Sequence, residues 1–93
     1  MLEVIVALTL LLTNAGESQK EVVCSLEIVR IESNYHLHSM NTKSGAYGLF
    51  QLMNVKRKLS LKAQVDKYNT YIKRRYDGNS CIALQHLQTK NWY

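Results

Sequence analysis

The chain contains no proline, only four glycines, two cysteines, one phenylalanine and one tryptophan among its 93 residues. With so few backbone breakers, long irregular linkers are disfavoured, and turns must be built from Asn, Asp, Ser and those glycines. Two cysteines are too few for a metal framework, and neither Cys24 nor Cys81 has a Cys-x-x-Cys partner, which argues against a redox motif. In an exported protein they would form one bridge closing a loop of more than fifty residues, worth roughly 3–4 kcal/mol by loop entropy. The alternative is two buried free thiols. The longest apolar block, Val4–Leu12 with Thr9 inside it, is far short of the ~20 residues a bilayer span needs. There is no internal repeat and no low-complexity tract, and the length allows at most one domain.

Acidic residues are also scarce: seven Asp and Glu against twelve Lys and Arg give a net charge of +5, with a pI near 9.4. Such a balance implies an anionic partner or surface. The bacterial cell wall, with its carboxylated peptides and acidic polymers, and nucleic acid are the two candidates. The cations cluster in the second half, from Lys56 to Lys90, spread over helical faces with few aromatics between them. That suits a solvated cationic surface better than a base-reading groove, so no nucleic-acid partner is expected. His36, His38 and His86 lack a carboxylate or cysteine at ligand spacing, and solvated histidines are expected in place of a metal site.

What is present is helical. Residues 1–16 fit either a signal peptide, with small residues Thr13 and Ala15 before its end, or a first core helix with Leu2, Val6 and Leu10 on one face. Residues 17–93 form the domain proper. Ser18 with Glu21 is a capping-box signature, and Val22, Leu26 and Val29 at 4-then-3 spacing predict a helix to Glu32 or Ser33. Asn34 to Ser44 is polar and predicts a loop. Leu49 to Met53 is expected as a short helix. Leu61, Val65, Tyr68 and Ile72 predict the clearest helix over residues 59–76, stopped at Asp77-Gly78-Asn79 with Gly78 as a left-handed cap. Ser80 is the expected cap of a last helix running to about Gln88, with Cys81, Leu84 and Leu87 inside. Tyr68, Tyr71 and Tyr76 are expected at the core and its rim, and Trp92 as a plug of the core or a platform for a sugar ring. No segment alternates as a strand does, so the fold class is mainly α.

The stretch Ile31-Glu32-Ser33-Asn34-Tyr35, followed by Ser44-Gly45-Ala46-Tyr47-Gly48-Leu49-Phe50-Gln51, carries the functional signal. From Val22 to Met53 the chain resembles the central segment of soluble-type lytic transglycosylases, in which Glu-Ser, a nearby aromatic, and a glycine-punctuated turn ending Leu-Met/Phe-Gln recur. Phe50 stands where Met is commoner, and the Pro usual after the Gln is replaced by Met53 or Asn54. The tail from Tyr71 to Tyr93 resembles the end of short phage-type members. The resemblance implies a small lysozyme-like helical domain with the catalytic Glu at a helix end, acting on peptidoglycan glycan strands outside the cytoplasm or on a virion. It implies Glu32 as acid and then base, Gln51 on the sugar N-acetyl group, and the Gly45–Gly48 backbone, with Ala46 and Tyr47, along the cleft. Ser33 and Tyr35 complete the binding set, and His86 or Tyr93 is the residue facing the acid. It implies no cofactor, no metal and a monomer.

The residue chemistry is consistent with that role. An acid that protonates a glycosidic oxygen must stay protonated near neutral pH, which burial and the negative end of a helix both favour. Val29, Ile31, Leu49 and Phe50 are the expected apolar surroundings. Two-carboxylate glycosidases need a second acid, yet no Asp or Glu lies between Ser33 and Val65, and only Asp66 and Asp77 follow. A lone acid suits the route in which the substrate's own N-acetyl group stabilises the cationic centre and its C6 hydroxyl displaces the leaving sugar. A hydrolytic lysozyme and a non-catalytic wall-binding module on the same scaffold are the alternatives. A solvated Glu32 paired with Arg30 or His36 is the plain structural one.

Overall fold

A computed structural model describes residues 1–93 as four helices: α1 (Leu2–Asn14), α2 (Gln19–Ser33), α3 (Leu61–Tyr76) and α4 (Ser80–Lys90). The molecule measures 32 × 30 × 21 Å and is mainly α, with two isolated antiparallel bridges and no strand. No helix is long and apolar enough to cross a membrane. α1 packs on α2 and α3, and α4 packs on both α2 and α3.

Local sequence explains the helix ends. The capping box is formed: Glu21 N donates to Ser18 Oγ, and Ser18 N donates to Glu21 Oε1. α2 stops at Asn34, whose φ of 50° is left-handed and whose N–H bonds Arg30 O. Ser60 caps α3, which therefore starts two residues later than its spacing alone predicts. α3 ends at Asp77, itself left-handed, with Gly78 continuing the turn at φ 83°. Asn79, not Ser80, caps α4: its Oδ1 accepts from the N–H groups of Cys81 and Ile82. Ser80 is instead drawn into the core, fully buried.

Leu8 and Leu12 of α1 are fully buried beside Ile28, Val65 and Ile72, each contributing about 1.5–3 kcal/mol of burial. The outward face of α1 carries Leu2, Val6 and Leu10, the reverse of the face expected from the sequence. The middle of α1, Val4–Leu12, is apolar at every position but Thr9, so the pattern has no phase of its own; packing selects the face. Under this layer lies a polar core. Glu17 accepts from Ser25 and Ser80, and the Tyr68 hydroxyl bonds both serines, tying the start of α2 to α3 and α4. Burial raises the Glu17 pKa, and it raises that of Tyr68 as well. Cys24 and Cys81 are joined in a disulfide, with Cα atoms 5.1 Å apart, stapling α2 to α4.

The segment expected as a short helix at Leu49–Met53 is a tight turn. Tyr47 and Leu52 exchange backbone hydrogen bonds of 3.0 and 3.2 Å, and Gly48 and Gln51 both have positive φ. Leu49 and Phe50 sit at its tip and plunge into the core, where Phe50 stacks on Tyr68 at a centroid distance of 4.0 Å.

Candidate active site

Glu32 is half-buried one residue before the end of α2 and opens onto a cleft of about 560 Å³. Three structures wall it: the loop Gln51–Val55, one face of α3 with Lys67, Thr70, Tyr71 and Arg74, and the tail Asn91–Tyr93. Glu32 is the only carboxylate side chain in the lining. It makes no ion pair: Arg30 is held by Glu27 in a two-pronged pair, and His36 donates through Nδ1 to Ser33 O at 2.9 Å. Burial raises the Glu32 pKa above its ordinary 4.5. The apolar surroundings differ from those expected, however. Val29, Leu49 and Phe50 belong to the core and Ile31 is turned to solvent, so Leu52, Met53, Val55 and the tail aromatics form the apolar part of the cleft.

Of the residues selected from sequence, the fold brings Glu32, Gln51 and Tyr93 together in this cleft. Gln51 is held by its own loop, its Nε2 donating to Gly48 O at 2.9 Å and Ser39 O at 3.1 Å. Tyr93 is buried, its hydroxyl donating to Phe50 O at 2.6 Å, while its carbonyl accepts from the hydroxyls of Tyr71 and Tyr76. Burial pushes the Tyr93 pKa well up, with smaller contributions from Tyr68 and from Glu32 itself.

The remaining motif residues lie outside the cleft lining and shape the scaffold behind it. Ser33 is buried with its hydroxyl bonded to Val29 O. Tyr35, in left-handed conformation, folds back so that its hydroxyl reaches Leu26 O at 3.1 Å. Ala46 and Tyr47 are buried; the Tyr47 hydroxyl accepts from Lys58 N at 2.8 Å and bonds His38 Nδ1. Gly45 takes φ +82° in a turn held by Asn41 and Ser44 side chains. Gly48 lies against Gln64, which fixes the loop by accepting from Leu49 N and donating to Leu37 O and Leu59 O.

His86 does not line the cleft. Its Nδ1 donates to Trp92 O at 2.7 Å and its ring meets the Trp92 ring edge-on, so it braces the tail from behind. Trp92 is not a core plug. It is 52% exposed and lines the cleft, with the Arg75 guanidinium 4.8 Å over its ring; the plug is Tyr93. Sequence reasoning missed the α3 wall, although Lys67, Tyr71 and Arg74 stand at the 4-then-3 spacing of a single helical face. Asp66 is absent from that wall and pairs with Lys62 at 3.0 Å; Asp77 caps α3.

The chain matches no protein-family model, no curated protein and no solved structure.

Proposed function

We propose that the chain is a lysozyme-like murein lytic transglycosylase that acts at the cell wall, exported or carried on a virion. The observation that carries this reading is a cleft holding one acidic side chain, Glu32, with burial keeping its proton on at higher pH, beside Gln51 and Tyr93. The carboxyl of Glu32 gives its proton to the oxygen bridging N-acetylmuramic acid C1 and N-acetylglucosamine C4. The C1–O bond breaks and the N-acetylglucosamine side leaves as an alcohol. The N-acetyl oxygen of the remaining sugar stabilises C1 until its C6 hydroxyl bonds there, returning the hydroxyl proton to Glu32. No second acidic side chain lines the cleft to activate water or attack C1, which favours this internal closure over hydrolysis.

Glu32→Gln tests the enzyme reading directly. Clearing of purified walls should fall by two or more orders of magnitude, in keeping with loss of a general acid, while wall binding is retained. Equal clearing by both proteins would overturn it. Binding without clearing by the unmodified protein would leave a wall-binding module.

A further inference from the structure

We infer that Lys67 and Arg74 recognise carboxylate substituents on the glycan, so that the cleft takes strands bearing free carboxylates in preference to uncharged ones. The inference rests on the glycan-cleaving reading and adds a specificity to it. Lys67 and Arg74 are seven residues apart on α3, two helical turns, which puts both on the cleft side about 10 Å apart along the axis. Thr70 and Tyr71 fill the wall between them.

Neither cation has a partner within the protein. The three ion pairs of the chain are Met1–Glu3, Arg30–Glu27 and Lys62–Asp66, and neither Lys67 nor Arg74 makes a side-chain hydrogen bond. The one acid on α3, Asp66, is outside the cleft lining and is taken by Lys62. Two unpaired cations therefore flank a cleft whose only acidic side chain is that of the half-buried Glu32. An uncharged sugar polymer gives them nothing to bind. The peptides attached to muramic acid carry free carboxylates, which an ammonium and a guanidinium bind by charge-assisted hydrogen bonds. The acidic polymers of some walls offer the same negative charge from a second source.

The test is sedimentation of full-length Glu32→Gln protein with four substrates: walls that retain their acidic polymers, walls stripped of those polymers, the polymer-free walls after amidation of their free carboxylates, and chitin. The parent should bind the polymer-free walls on the order of tenfold more tightly than the amidated walls, as two exposed ion pairs allow. That preference should vanish at high salt and in Lys67→Gln/Arg74→Gln, with affinity for amidated walls unchanged. A Lys67→Arg/Arg74→Lys protein should keep it. Loss of affinity for polymer-free and amidated walls alike, or an unchanged preference in the Gln variant, overturns the inference. Preference only for walls that retain their acidic polymers also overturns it. If the wild-type protein clears walls yet shows no preference, this inference fails and the enzyme reading stands; if it neither clears nor binds, both fail.

Discussion

A Cβ placed on Gly48 would lie 2.4 Å from Oε1 of Gln64, closer than real Cβ contacts come. Gln64 is not free to retreat. It is buried, and its amide is committed to Leu49 N, Leu37 O and Leu59 O at 2.8, 2.9 and 3.1 Å. Gly48 also has φ +86°, where an L side chain is strained. Gly48→Ala should therefore cost about 2–4 kcal/mol, from left-handed strain plus a broken buried bond. Gly45→Ala, at φ +82° with nothing within 4 Å of the new Cβ, should cost only about 1–2 kcal/mol. Urea denaturation of both checks the order; equal losses would mean that Gln64 moves aside freely.

The disulfide should carry much of the stability. Joining residues 57 apart removes chain entropy worth about 4 kcal/mol from the unfolded state. Cys24→Ser/Cys81→Ser, or the reduced wild type, should show a denaturation midpoint lowered accordingly. An unchanged midpoint would show that the bridge constrains nothing.

Leu8 and Leu12 bind α1 into the core of the fold, so Leu12→Ala should cost about 2–5 kcal/mol as a large-to-small core change. Leu10→Ala, on the outer face, should be within about 0.5 kcal/mol of wild type. A reversal of that order would restore the opposite face as the buried one.

Glu32 links stability to pH. Its folded pKa is above 4.5, so between 4.5 and the folded value the native state holds a proton that the unfolded chain has released. Stability therefore falls as pH rises through that window. Glu32→Gln, which has no charge to bury, should match wild type below the window and melt higher than wild type above it. Under the proposed function, wall clearing should decline as pH rises past the folded pKa, because Glu32 would lose the proton a general acid needs. Melting curves of the two proteins at acid and neutral pH check the sign; a gap favouring wild type at neutral pH would contradict it.

Much of this architecture is legible in the sequence where a signal is local. The Ser18–Glu21 box and the Leu61, Val65, Tyr68, Ile72 spacing state their helices outright, because caps and periodicity act within a few residues. Leu49–Met53 misleads because its run of apolar side chains suits a helix as well as a turn. What decides is Gln64, fifteen residues on from Leu49, holding the backbone in place. Whether Trp92 enters the core or lines the cleft is decided for a similar reason. His86 and Tyr76 grip the tail backbone and aim Tyr93 inward, and neither contact is visible in the order of residues. The α3 wall was encoded in its spacing, but spacing does not say that a cleft lies opposite.

The most direct test of the central claim is mass spectrometry of the fragments that the wild-type protein releases from purified peptidoglycan, with Glu32→Gln as the control. A single-acid transglycosylase predicts fragments ending in 1,6-anhydro-N-acetylmuramic acid from the wild type and none from the variant. Fragments with reducing ends would make the protein a hydrolase, and identical fragments from both proteins would remove Glu32 from the chemistry.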